Sequence, residues 1–230
     1  MATHSIFSVS GFPVSRRALL AGCATALPVF GPVFGPVMAQ AQRPLRLVAL
    51  GDSLTAGYLL PGDAAFPVLL QKALAARGLV VDITNAGVSG DTTAGGLARL
   101  DWSIPDGTDG VILELGANDA LRGLDPARTE ANLDAILTRL AARNIPVLLA
   151  GMLAPRNNGP EYVATFDGLF PRLAAKFGVP LYPFFLDGVT GVPGMTLPDA
   201  LHPNRAGVEE IVRRILPIME SFVAKIASGK

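Results

Sequence analysis

The chain has 230 residues, half of them apolar, and its 19 basic and 19 acidic side chains cancel to a formal charge of zero. That is enough chain for one domain with a full hydrophobic core, and it is too apolar for disorder. With no basic run and no basic–aromatic patch, the composition speaks against a nucleic-acid partner.

Residues 1–41 hold Arg16 and Arg17 as their only charged side chains. An apolar stretch from Ala18 to Met38 follows, broken by Pro28, Pro32 and Pro36, and it closes on Ala39-Gln40-Ala41, a small-residue cleavage pattern. We read this segment as an export signal that is cleaved. Ser15-Arg16-Arg17-Ala18-Leu19-Leu20 is similar to a twin-arginine signal, which sends a protein to the periplasm or beyond. Two alternatives compete. A transmembrane anchor is opposed by the three prolines and the cleavage pattern. A lipid anchor on Cys23, in Leu20-Ala21-Gly22-Cys23, is opposed by spacing, because only five residues separate it from Arg17. Cleavage after Ala41 leaves 189 residues and removes Cys23, the only cysteine, and His4, one of the two histidines. A disulfide, a cysteine nucleophile and a His-rich zinc site are then excluded, and neither metal nor cofactor nor stable membrane insertion is expected.

In residues 42–230 the first element is Leu45 to Leu50, a short apolar run ended by Gly51 that predicts a buried parallel strand. Phe66 to Arg77 has helical spacing and stops at Gly78. Val80 to Thr84 and Gly110 to Leu115 are the second and third strands. Thr129 to Arg143 is an amphipathic helix with Leu133, Ile136, Leu137 and Leu140 on one face. Pro146 to Ala150 is a fourth strand, and Tyr162 to Phe177 is helical, with Pro171 as a kink or a restart. Val179 to Phe185 is a fifth strand, and Asn204 to Lys225 is the closing helix, bent at Pro217. Strands alternating with helices predict one α/β domain, a three-layer sandwich around a five-stranded parallel sheet. In such sheets ligands bind at the carboxyl ends of the strands.

Chemistry-bearing residues stand at those ends. After the first strand comes Gly51-Asp52-Ser53-Leu54-Thr55-Ala56-Gly57-Tyr58, a serine on a turn that can present both its hydroxyl and its N–H. An ordinary helix cap reads the same way. After the second strand comes Asn85-Ala86-Gly87-Val88-Ser89-Gly90-Asp91-Thr92-Thr93, where a glycine lets the backbone approach a ligand. After the third comes Glu114-Leu115-Gly116-Ala117-Asn118-Asp119, whose asparagine can donate through its amide or merely bond its own loop. Near the end stands Asp199-Ala200-Leu201-His202-Pro203-Asn204, a carboxylate three residues before the remaining histidine. It can fix one ring nitrogen and leave the other as a base.

The four blocks together, in the order Ser, Gly, Asn, Asp-x-x-His from Gly51 to Asn204, resemble the GDSL/SGNH hydrolase family. Within it they are most similar to the bacterial branch of arylesterases and multifunctional thioesterase/lysophospholipases. Ala117 departs from the glycine usual in the third block. The resemblance implies the flavodoxin-like SGNH hydrolase fold and hydrolysis of carboxylic esters or thioesters of short to medium acyl chains. It implies Ser53 as nucleophile, His202 as base, Asp199 as the residue orienting it, and an oxyanion hole of the Ser53 and Gly90 N–H groups with the Asn118 amide. Asp52 is expected to orient the loop. Asp119, Leu121, Leu153 and Pro155 are expected to shape the pocket, within a loop from Asp119 to Asp125 and a segment after the fourth strand.

Three other readings stand beside this one. An α/β-hydrolase needs a Gly-x-Ser-x-Gly elbow, and none occurs. A carbohydrate O-deacetylase would use the same fold and triad, against which stands only the shortage of aromatics, one Trp and three Tyr. A flavodoxin-like phosphate- or nucleotide-binding module would use the Gly51 to Gly57 loop and leave Asp199 and His202 without a role.

Overall fold

The structure, a computed structural model, describes residues 43–229. The inferred export signal, with Arg16, Arg17 and Cys23, lies outside the described residues. Gln42–Lys230 forms one compact unit.

Five parallel strands run through it: β1 (Leu45–Gly51), β2 (Val81–Gly87), β3 (Gly110–Glu114), β4 (Val147–Ala150) and β5 (Leu181–Tyr182), in the order β2-β1-β3-β4-β5. The helices are α1 (Ser53–Ala56), α2 (Phe66–Ala76), α3 (Thr93–Ala98), α4 (Leu100–Ser103), α5 (Ala117–Leu121), α6 (Pro126–Ala142), α7 (Pro160–Phe177) and α8 (Arg205–Ser228). From β1 the chain steps outward to β2 and then returns across β1 to β3. Right-handed crossovers in opposite directions put their helices on opposite faces. Accordingly α2 packs with α8, while α3 and α7 pack with α6. The expected three-layer α/β sandwich is the observed one.

Burial follows strand position. All five residues of the central β3 are buried, as a strand covered on both faces requires, whereas β2 at the edge alternates buried and exposed before turning outward. Phe66, Phe166, Phe170 and Phe185 fill the space between sheet and helices. The last strand is shorter than its apolar run suggested: only two residues pair with β4, because Pro180 and Pro183 flank them and lack the N–H a ladder needs. Pro171 and Pro217 both lie inside continuous helices. Part of the expected loop after the third strand is the one-turn helix α5, capped by Gly116.

Residues 183–204 hold little regular structure, but they are ordered by backbone bonds. Thr196 bridges Pro203 in antiparallel fashion, the Leu197 N–H donates to the His202 carbonyl, and the Ala200 N–H donates to the Leu197 carbonyl. Asn204 then caps α8 by accepting from the Gly207 N–H at 3.0 Å. This cap anchors the histidine two residues before it. The β1–β3 switch point and this turn therefore meet at the carboxyl edge of the sheet.

Candidate active site

Ser53 is the first residue of α1, and Asp52 alone separates it from the end of β1. Asp52 caps that helix: its carboxylate accepts from the Leu54 N–H at 2.9 Å and from the Asn118 amide at 3.0 Å. Behind it lies Glu114, wholly buried at the end of β3. Glu114 Oε2 accepts from the Thr55 hydroxyl at 2.7 Å and from the Asp52 N–H at 3.4 Å, while Oε1 has no partner among the described residues. The fit is close enough that a Cβ on Gly51 would stand 2.1 Å from Thr55 Oγ1, which is why a glycine ends β1. Burial pushes the Asp52 carboxyl up to about 6, against the pull of the Leu54 N–H and the Asn118 amide. Burial and then the neighbouring Asp52 hold Glu114 well above the usual carboxylate range.

The structure brings Ser53, His202 and Asp199 together. Ser53 Oγ lies 2.9 Å from His202 Nε2, and His202 Nδ1 lies 2.7 Å from Asp199 Oδ2. The other oxygen of Asp199 accepts from the Leu201 and His202 backbone N–H groups at 2.9 and 3.0 Å. Those two backbone bonds and then the imidazole hold the Asp199 carboxyl down to about 2, so it is ionised beside the ring. An ionised acceptor at Nδ1 fixes the tautomer: Nδ1–H donates to Asp199, and bare Nε2 accepts from the Ser53 hydroxyl. The turn that allows this puts Ala200 at φ +58°, in the left-handed region. Tyr58 lies over the imidazole with ring centroids 4.4 Å apart.

The three expected donors are Ser53, Gly90 and Asn118, of which Ser53 and Asn118 line one cavity. Among the described residues neither the Ser53 nor the Gly90 backbone N–H has a partner. Gly90 is at φ +80°, a conformation glycine adopts without cost, and the Arg122 guanidinium donates to its carbonyl at 2.7 Å. The Asn118 amide donates to Asp91 O at 2.9 Å as well as to Asp52. A cavity of about 470 Å³, walled by Leu54, Leu121, Met152, Leu153, Phe184 and Leu186, is also lined by Ser53, Asn118 and His202.

Of the residues expected to shape a pocket, Leu121, Leu153 and Pro155 line this cavity. Asp119 does not. It is buried beneath, where its carboxylate accepts from the Thr93 N–H, the Thr93 hydroxyl and the Thr129 hydroxyl, tying α3 to α6. The expectation that Asp119 shapes the pocket is corrected accordingly: its side chain is taken up by buried donors. Sequence reasoning missed Glu114, Thr55, Tyr58 and Arg99. Of these only Glu114 carried a signal, a charge inside an otherwise apolar strand.

Residues 49–209 match the profile of the GDSL-like Lipase/Acylhydrolase family. The chain is 36% identical to esterase TesA of Pseudomonas aeruginosa over 209 residues, covering 90% of this chain and all of that one. It is 42% identical to thioesterase 1/protease 1/lysophospholipase L1 of Escherichia coli over 160 residues, covering 69% of this chain and 76% of that one. Among solved structures, AlinE4, described as an SGNH-hydrolase family esterase, superposes with a TM-score of 0.67 at 44% identity, covering 78% of this chain and 97% of that one. The Gly51-Asp52-Ser53 turn, the glycine and asparagine blocks and the histidine turn all fall inside the matched span, and the chain belongs to the GDSL-like lipase/acylhydrolase family.

Proposed function

We propose that this protein is an exported serine esterase that hydrolyses neutral esters of short to medium acyl chains through an acyl-enzyme on Ser53. The observation that supports it is the hydrogen-bonded chain Ser53–His202–Asp199 opening on an apolar cavity.

Ser53 Oγ attacks the acyl carbonyl carbon as its proton passes to His202 Nε2. The carbonyl oxygen becomes an oxyanion held by the Ser53 and Gly90 N–H groups and by Asn118. Asp199 stabilises the imidazolium. Collapse expels the alcohol with the proton from His202 and leaves the acyl group on Ser53. A water then loses its proton to His202, attacks the same carbon, and releases the carboxylic acid with Ser53 restored. Each step balances without an external electron or metal.

The leucine, methionine and phenylalanine walls suit a hydrocarbon chain, whereas a sugar acetyl ester would expose many hydroxyls to them. That favours acyl esters over carbohydrate O-deacetylation. Export rests on the Arg16-Arg17 segment and its cleavage pattern, and among the described residues no helix is long and apolar enough to cross a membrane. The test is a panel of esters crossing acyl length with leaving group, run on purified protein lacking residues 1–41. Turnover that rises with acyl length until the cavity fills, and that vanishes in Ser53→Ala, is expected. Preference for acetylated sugars over every acyl ester would overturn the substrate assignment.

A further inference from the structure

The Arg99 side chain bonds the segments that carry Ser53 and Gly90 and reaches the Asn118 segment through Asp91, without lining the cavity itself. It extends from the junction of α3 and α4 and is about five-sixths buried, with 16% of its side chain exposed. Its Nη2 donates to the Gly51 carbonyl at 2.9 Å, at the end of β1 and two residues before Ser53. Its Nη1 donates to the Ala86 carbonyl near the end of β2 and to the Ser103 hydroxyl, each at 2.9 Å. Its Nε donates to Asp91 Oδ2 at 2.7 Å, one residue after Gly90. Asp91 passes the connection on, because its backbone carbonyl accepts from the Asn118 amide.

We propose that Arg99 is a positioning residue for the oxyanion hole, holding the Ser53 and Gly90 N–H groups and the Asn118 amide in one register; this rests on the catalytic reading above. Geometry explains why an arginine stands there. Four acceptors from two strand ends, a loop and a helix surround one planar group, and only a guanidinium offers five donors in a fixed fork. A lysine could keep the pair with Asp91 but could not reach both strand-end carbonyls in the same plane. The Asp91 partnership gives the clasp its handle on the glycine loop, since nothing else described ties that side chain to β1.

A register shift of about an ångström among preorganised donors costs about 10²-fold in rate. Arg99→Lys and Asp91→Asn are therefore expected to lower kcat by about 10–100-fold on an aryl ester. KM should stay within about threefold, and Ser53 phosphonylation should slow in parallel with kcat/KM. Circular dichroism and thermal melts would be recorded on the same samples. In Arg99→Ala, guanidinium chloride at concentrations far below those that unfold the protein should restore part of kcat, and matched sodium chloride should not. Unchanged kcat in Arg99→Lys, a loss confined to KM, or equal recovery with sodium chloride would overturn the proposal. So would losses in all three variants that merely follow the unfolded fraction. Full activity in Ser53→Ala would instead bring down the catalytic reading itself, so the two failures are told apart.

Discussion

The Asn118 amide already has two acceptors, Asp52 Oδ2 and Asp91 O, before a substrate arrives. An incoming carbonyl oxygen must compete with a backbone carbonyl for one of its hydrogens. It competes well only when it carries charge, because a charge-assisted bond is about twice as strong as a neutral one. Asn118→Ala is thus expected to lower kcat by about 10²–10³ with little change in KM. A change in KM alone, read from steady-state kinetics, would make Asn118 a ground-state binding group. Asp199→Asn tests the other side of the site. The variant keeps an oxygen for the Leu201 and His202 N–H groups but turns an NH₂ toward Nδ1, which favours the wrong imidazole tautomer. A fall in kcat of up to about 10⁴ on a folded protein is expected. Glu114 makes a third prediction, on stability. Its carboxyl lies above the ordinary 4.5 in the folded protein. Between 4.5 and that raised value the native state keeps a proton that the unfolded chain has released, so stability falls as pH rises through this window. Glu114→Gln cannot lose that proton. The stability of the variant relative to the wild type, followed by urea unfolding from about pH 4.5 to about pH 8, should therefore climb with pH. A difference that stays flat would mean that Glu114 is ionised in place.

At the scale of elements, the turn from Thr196 to Pro203 holds a non-glycine residue in the left-handed region. Ala200 sits at φ +58° between Asp199 and His202. Ala200→Gly should hold kcat within about twofold and leave the melting temperature unchanged or higher, since glycine takes this conformation freely. Ala200→Val should destabilise by about 1–3 kcal/mol and slow turnover, because a β-branched side chain resists the left-handed region and would displace His202. Thermal melts with kinetics on both variants check this, and equal behaviour of the two would show that the turn relaxes. The same turn shows what the sequence made legible. Asp199, Ala200, Leu201 and His202 are neighbours in the chain, so their geometry follows from local spacing. The four longer strands and the long helices were legible for a similar reason, since apolar periodicity is a local signal. Glu114 beneath Ser53, Asp119 held by Thr93 and Thr129, and Arg99 across two strand ends were not. Each depends on partners from distant parts of the chain, and a buried polar side chain looks the same in sequence as an exposed one.

Over the whole molecule, charge and the proposed export bear on the substrate. Removing residues 1–41 takes away two arginines and no acid, leaving 17 basic and 19 acidic residues. A surface of that charge gives no general attraction to a multiply anionic nucleotide. At the cavity edge Arg156 is already paired with Asp167 at 2.7 Å. Neutral aryl or alkyl esters are therefore expected to exceed coenzyme A thioesters of the same acids in kcat/KM, with a neutral thioester as control. A coenzyme A thioester ahead of both by about tenfold, roughly 1.4 kcal/mol of transition-state stabilisation, would require a dedicated site for the nucleotide.

Acylation of Ser53 is measured most directly by covalent capture. Protein treated with a fluorophosphonate and digested should carry the phosphonyl group on the peptide containing Ser53, with loss of esterase activity in proportion to labelling. Ser53→Ala should take up no label, and its activity should fall by about 10³-fold or more while its fold persists. Label on Ser89 or Ser103, or an active Ser53→Ala protein, would contradict the account.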